Sequence, residues 1–216
     1  QDNSHGMKFI LIKGPEEIEQ LAKMASINEK ILFENQFLHS FFFEHINWNK
    51  KQDDQRSIGF YIKTLELPPP ARLIFKLIRH WNVIQILNRL GFSKMIARVN
   101  SQIYSSSSAF GVITIDRETP ENFIFAGKLL EKIWLTATTM GLSMQPLMGI
   151  ILLMNQIREN TTSSLSEQHI KLIKDAYQKI EYISGAHNEI LAIMFRLGKG
   201  DEPSAHSSRL SPKITG

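Results

Sequence analysis

The chain has 216 residues, 43% hydrophobic and 21% charged, with a formal net charge of +4 and no cysteine. That composition can fill one sizeable core, so a single domain over 1–216 is expected, and it excludes a disordered chain. It also removes disulfides, thiolate metal sites and cysteine nucleophiles.

In chain order, Phe9 to Ile12 read as a short strand stopped by Gly14 and Pro15. Gln1 to Gly6 lead straight into it, which suggests a chain that begins inside a longer domain. Pro15 starts a helix with Glu16 and Glu17 in its first turn and Ile18, Leu21, Ala22 and Ala25 facing inward. An aromatic-rich pattern from Glu29 to Trp48 predicts one buried helix. It carries His39 and His45, but six residues turn a helix by about 600°, so the two do not share a metal-binding face. They read as surface or core histidines, and no metal site is expected. Asn47 to Ser57 read as a solvated loop. Pro68, Pro69 and Pro70 feed a helix from Ala71 to Leu90, with Leu73, Leu77, Trp81, Ile84 and Leu87 inward and Arg72, Lys76, Arg79 and His80 in solvent.

Ser105 to Ser108 form a polar break with no nucleophile elbow around them. Ala109 to Ile115 are a strand candidate. Thr119 and Pro120 mark a helix entry. The following helix places Ala126, Leu129, Leu130, Ile133, Trp134, Ala137 and Met140 on one face and stops at Gly141. Leu142 to Gln145 connect it to Pro146, after which a new apolar helix runs to Glu159. A helix ended by glycine and another begun after proline leave free backbone N–H groups between them. Such a junction is either a bare turn or a place for an acceptor-rich planar ligand. Asn160 to Ser164 read as a loop, Ser166 to Gly185 as a helix and Glu189 to Arg196 as the third strand. Residues 199–216 read as an extended, serine-rich tail. The sum is an α+β fold.

No carboxylate pair, Ser–His–Asp set or phosphate-cradling glycine loop appears. Lys and Arg are scattered without a basic, aromatic-interleaved stripe, so no nucleic-acid partner is expected. No apolar run approaches a membrane span and no signal segment opens the chain, so a cytoplasmic location and no membrane partner are expected.

Three features, in this order, resemble the FMN-dependent nitroreductase family. They are the Ala126-Gly127 to Trp134-Leu135 to Gly141-Leu142 helix followed by Gln145-Pro146, the segment Ile193 to Gly198, and Ser208-Arg209-Leu210. The match runs from Gly59 to Pro212. Upstream, Phe42 to Trp48 followed by Gly59 resembles the subgroup found inside larger proteins, including fusions to an adenylation domain. The resemblance implies a nitroreductase-like fold, a small antiparallel sheet surrounded by helices, and an FMN-dependent oxidoreductase. Electrons would pass from NAD(P)H to a small acceptor such as a nitro-aromatic or quinone. It places Pro146, Leu147, Met148 and Gly149 against the flavin ring, with backbone amides toward its acceptors, and Arg209 on the FMN phosphate. Ser207 stands where several members have lysine, and Met148 where several have an acidic residue. The family's N-terminal, Arg-rich phosphate clamp does not appear in this chain. The resemblance further implies a homodimer or a fused partner domain. The alternative is a non-catalytic module of the same fold with a degenerate flavin pocket.

Overall fold

The computed structural model describes residues 6–162 and 164–210, so the expected lead-in at Gln1 to His5 and the tail beyond Leu210 lie outside the described residues. It is a mixed α+β structure, with helix over 59% of it. The first elements are β1 (Met7–Ile12), α1 (Pro15–Ala25), α2 (Ile27–Glu34), α3 (Gln36–Glu44), β2 (Ile46–Asn47), α4 (Lys50–Arg56) and β3 (Phe60–Tyr61). A 3₁₀ turn (Ile62–Leu65) leads to α5 (Pro69–Ile78), α6 (Trp81–Arg89) and α7 (Phe92–Ser105). Then come β4 (Ala109–Ile115), α8 (Pro120–Thr139), β5 (Ser143–Pro146), α9 (Gly149–Arg158), α10 (Glu167–Ser184) and β6 (Ile190–Gly198). These elements divide between two compact units, Gln1–Ile31 with Ser93–Gly200 and Leu32–Phe92 with Asp201–Gly216.

The first unit is built on a four-stranded sheet of order β1-β4-β6-β5, antiparallel throughout. All seven residues of β4 are buried, so apolar side chains are required on both faces. On one face Phe110, Val112 and Met194 pack with Leu21, Ile151, Tyr177 and Ile180 from α1, α9 and α10. On the other, Ile113, Ile115, Ile193 and Phe195 pack with Ala126 and Ala137 of α8. Gly111 is fixed by this packing, because a Cβ there would lie 2.2 Å from the Phe195 ring. Capping follows the sequence closely. Thr119 accepts from the Asn122 amide and Ser166 from the His169 amide, while Gly141 and Gly185 take positive φ.

Two expectations change in this unit. The predicted inner face of α8 is only partly buried, with Trp134 and Met140 exposed. The predicted connection before Pro146 is instead an edge strand, β5, because its backbone pairs with β6 from Ser143↔Gly198 to Pro146↔Phe195.

The second unit packs an aromatic cluster in which Phe43 meets Phe33, His39, Trp48 and Phe75. His39 is a buried core histidine. Its Nε2 lies 2.8 Å from the Ile78 carbonyl and must donate there, and burial lowers its pKa despite that hydrogen bond. The predicted helix from Glu29 to Trp48 is broken at Asn35, whose extended backbone and side-chain oxygen cap α3 at the Leu38 amide. The predicted helix from Ala71 to Leu90 is likewise broken at His80 (ψ 119°), and Leu73 and Leu77 are exposed, not inward.

The largest revision lies at Asn47 to Ser57, expected as a solvated loop. Asn49 caps helix α4 there by accepting from the Gln52 amide at 2.9 Å, and Asp53 is fully buried. Asp53 accepts from the Asn47 side chain at 3.2 Å, and its other oxygen from the Ser208 amide at 2.7 Å. Residues 204–208 are thereby strapped along this unit. Ser204 donates its amide and hydroxyl to the Glu66 carboxylate at 2.7 and 2.9 Å. The Ser208 hydroxyl donates to Asp54 at 2.6 Å and accepts from Lys50 at 2.9 Å. The described tail is without helix or strand, as the sequence suggests.

Candidate functional site

The junction of β5 and α9 carries the first four candidate residues. Gln145 and Pro146 lie opposite Arg196 and Phe195 in the sheet. The Leu147 amide continues this ladder by donating to the Met194 carbonyl at 2.8 Å, and its side chain is in the core. That amide is therefore already engaged. Met148 then turns into the helical region (φ −87°, ψ −12°), and α9 starts at Gly149 with no side-chain cap. The amides of Met148 and Gly149 have no acceptor among the described residues. Two adjacent donors thus stand at the positive end of a ten-residue helix.

A polar network in the same unit holds both ends of this turn. On the N-terminal side, Arg196 donates from Nε to the Gln145 side-chain oxygen at 2.6 Å. Its Nη1 donates to the Ile103 carbonyl, among the last carbonyls of α7, at 2.8 Å, where the helix end favours a cation. The guanidinium also lies 5.2 Å from the centre of the Tyr104 ring. The Tyr104 hydroxyl donates to Glu29 Oε1 at 2.8 Å. On the C-terminal side, the Asn28 side chain lies directly against Gly149, with its Cγ 2.2 Å from where a Cβ would stand. Asn28 also hydrogen-bonds Glu29.

Burial dominates the electrostatics of this network. It raises the Glu29 pKa above the ordinary 4.5, against hydrogen bonds from Tyr104 and Asn28 that pull it down. Burial and then the nearby Glu29 carboxylate push the Tyr104 phenol far up, so it stays a donor. Burial lowers Arg196, which remains charged. Glu29 Oε2 is buried without a hydrogen-bond partner. A carboxyl whose folded pKa is raised contributes stability that is complete below 4.5 and is lost as pH rises through its folded value. Glu29→Gln, always neutral, is expected to flatten that loss. Melting temperatures of both proteins from about pH 4 to about pH 8 check this, and a parallel decline in the variant would assign the loss to another group.

A cleft of about 160 Å³ borders the network, lined by Ser106, Ser107, Ser143, Gln145, Arg196 and Gly198 among others. Arg196 belongs to the segment that carries the family resemblance, whereas Asn28, Glu29 and Tyr104 lie outside every segment that carries it. The only sequence signal of Asn28 and Glu29 is an amide and an acid entering a helix start, which solvated helices share, and Tyr104 near the end of α7 carries none.

Ser207 and Arg209 lie in the second unit. Ser207 Oγ accepts from the Tyr61 amide at 2.9 Å and keeps its own hydrogen free to donate. Arg209 is exposed and has no hydrogen bond or ion pair among the described residues. Tested against a flavin mononucleotide, the first unit offers the unused Met148 and Gly149 amides for ring acceptors; Arg209, to which the family resemblance assigns the phosphate, is an unused donor of the second unit. Leu147 offers no amide, and Ser207 offers a hydroxyl only.

Among proteins of known sequence, the chain is similar to the uncharacterized protein MT1398 of Mycobacterium tuberculosis, 22% identical over 149 residues. The match takes in 69% of this chain and 21% of that protein, so the chain spans about a fifth of its relative's length. No protein-family profile matches the chain, and no solved structure is significantly similar to it. Among the described residues, no helix is long and apolar enough to cross a membrane.

Proposed function

We propose that the chain is a nitroreductase-like module that binds FMN at the β5–α9 turn and serves an NAD(P)H-dependent oxidoreductase. The observation that carries this reading is the pair of unused amides at Met148 and Gly149, held between the Arg196–Gln145 bond and the Asn28 side chain. The small antiparallel sheet with helices on both faces supports the fold assignment. FMN, when bound, would supply the hydride and electron chemistry. The chain's own part is to bind and orient. The Met148 and Gly149 amides would donate to acceptors at the ring, where fixed donors favour arriving negative charge without any titrating side chain. Arg209 would pair with phosphate oxygens. A nitro-aromatic or quinone is the class of acceptor proposed, in a homodimer or in association with the remainder of a longer protein.

The full chain, purified and mixed with excess FMN, is expected to retain a yellow flavin spectrum after gel filtration. That spectrum should bleach on addition of NADH or NADPH. Protein that stays colourless sinks the flavin reading. Yellow protein that neither nucleotide bleaches supports the second reading, a non-catalytic module of the same fold. The commitment of the Leu147 amide and Ser207 oxygen to the chain's own hydrogen bonds favours that second reading.

A further inference from the structure

Helices α5 and α6 of the second unit each leave aliphatic side chains uncovered. Leu73, Ile74 and Leu77 on α5, and Ile86 and Leu90 on and just after α6, are each at least half exposed, Leu90 to 83%. At about 100° per residue, the three on α5 fall within an arc of about 100°. That arc adjoins the buried Ile78 on one side and the arc of Arg72, Lys76 and Arg79 on the other. On α6, Ile86 and Leu90 lie within about 40° of each other, with Arg89 beside them and the buried Ile84 turned away.

The charge on this face has one sign. Between Glu66 and Asp116 the sequence has no Asp or Glu, whereas α5, its C-cap and α6 carry Arg72, Lys76, Arg79 and Arg89. Among the described residues, none of the four cations on α5 and α6 and their C-caps meets a carboxylate. Arg72 donates to the Leu67 carbonyl, Arg79 to the His80 ring, and Lys76 and Arg89 make no hydrogen bond or ion pair.

We propose that the α5–α6 face docks on an anionic lipid surface. Its aliphatic side chains would enter the boundary between headgroups and acyl chains, and its cations would meet headgroup phosphates. A second copy of the chain is a poor occupant, because like faces would bring only cations together. An acidic protein fits less well too. The apolar anchors of protein interfaces are chiefly Trp and Tyr, with Leu under-represented, and the five exposed apolar side chains here are all Leu or Ile. The lack of a spanning helix does not bear on a peripheral contact.

The test is co-sedimentation of the full chain with vesicles of phosphatidylglycerol and phosphatidylcholine. Binding is expected to be at least about tenfold stronger than to phosphatidylcholine alone and to weaken in high salt. Lys76→Glu with Arg89→Glu, and separately Leu73→Ser with Leu77→Ser, should each remove most of the binding while the circular dichroism stays unchanged. Failure to bind the anionic vesicles overturns the proposal, as does binding that survives both pairs. So does a dimer, seen by analytical ultracentrifugation, that the Leu73→Ser and Leu77→Ser pair dissociates in protein that ignores vesicles.

Discussion

Gly149→Ala is expected to destabilise the first unit by about 2 kcal/mol, the middle of the range for overpacking a filled site. Alanine normally favours a helix over glycine by up to about 1 kcal/mol, so the sign here is set by packing. A Cβ at Gly149 would stand 2.2 Å from Asn28 Cγ, 2.3 Å from its oxygen and 2.7 Å from its Cβ. Rotating the Asn28 side chain relieves the first two clashes and leaves the third, so the backbone of α2 or α9 must move. Asn28→Ala in the same chain should therefore return part of the loss, and urea denaturation of the two single variants and the double variant measures the coupling. A Gly149→Ala protein as stable as the parent, or strictly additive effects, would show that Asn28 does not hold the turn. Under the flavin proposal, the displaced turn should also bind FMN more weakly, which a spectral titration reads separately.

Asp53→Ala should cost about 3 kcal/mol in the second unit, because it removes the acceptor of the Ser208 amide and leaves the buried Asn47 side chain only the Ile58 carbonyl. Asn47 is itself fully buried, and its own oxygen already has no partner. The variant should also free residues 204–210, so trypsin is expected to cut after Arg209 faster than in the parent. Equal cleavage rates would mean that the other serine contacts suffice to hold the strap. Burial alone would raise the Asp53 pKa, but hydrogen bonds from Ser208, Asn47 and Lys50 outweigh it and hold the carboxyl below its ordinary 3.8. The stability this lends is present above 3.8 and is lost as pH falls through the folded value. Acid should therefore loosen the strap in the parent and change little in the variant.

Legibility in the sequence followed the locality of the signal. Thr119, Ser166, Gly141 and Gly185 set helix ends through their own hydrogen bonds or φ angles, and each was readable from a few neighbours. Strand β4 was equally clear because burial on both faces leaves an unbroken apolar run. Helix α4 was not readable, since Lys50, Lys51, Asp53 and Asp54 resemble a solvated loop until the distant Ser208 claims Asp53. The breaks at Asn35 and His80 were hidden for a related reason. An apolar period continues through both positions, and local capping or an extended residue overrides it. At the candidate site the Pro146 to Gly149 turn stood out, whereas its support did not. Asn28, Glu29 and Tyr104 reach it across intervals of up to about 120 residues, and nothing in their neighbours marks them.

The strap at residues 204–208 also bears on the order in which the protein is made. The second unit begins at Leu32, yet the donors that complete Asp53 and Glu66 follow β6 in the chain. On the ribosome, the segment from Leu32 to Phe92 emerges after β1 and α1 but well before the strap, and waits with a buried carboxylate short of its 2.7 Å partner until the rest of the first-unit sheet has been synthesised. Closing that loop brings together residues roughly 150 positions apart, a slow, late step compared with forming α4 itself. A nascent chain stalled just short of Ser204 would thus carry all the strands of the sheet and a second unit still unfinished.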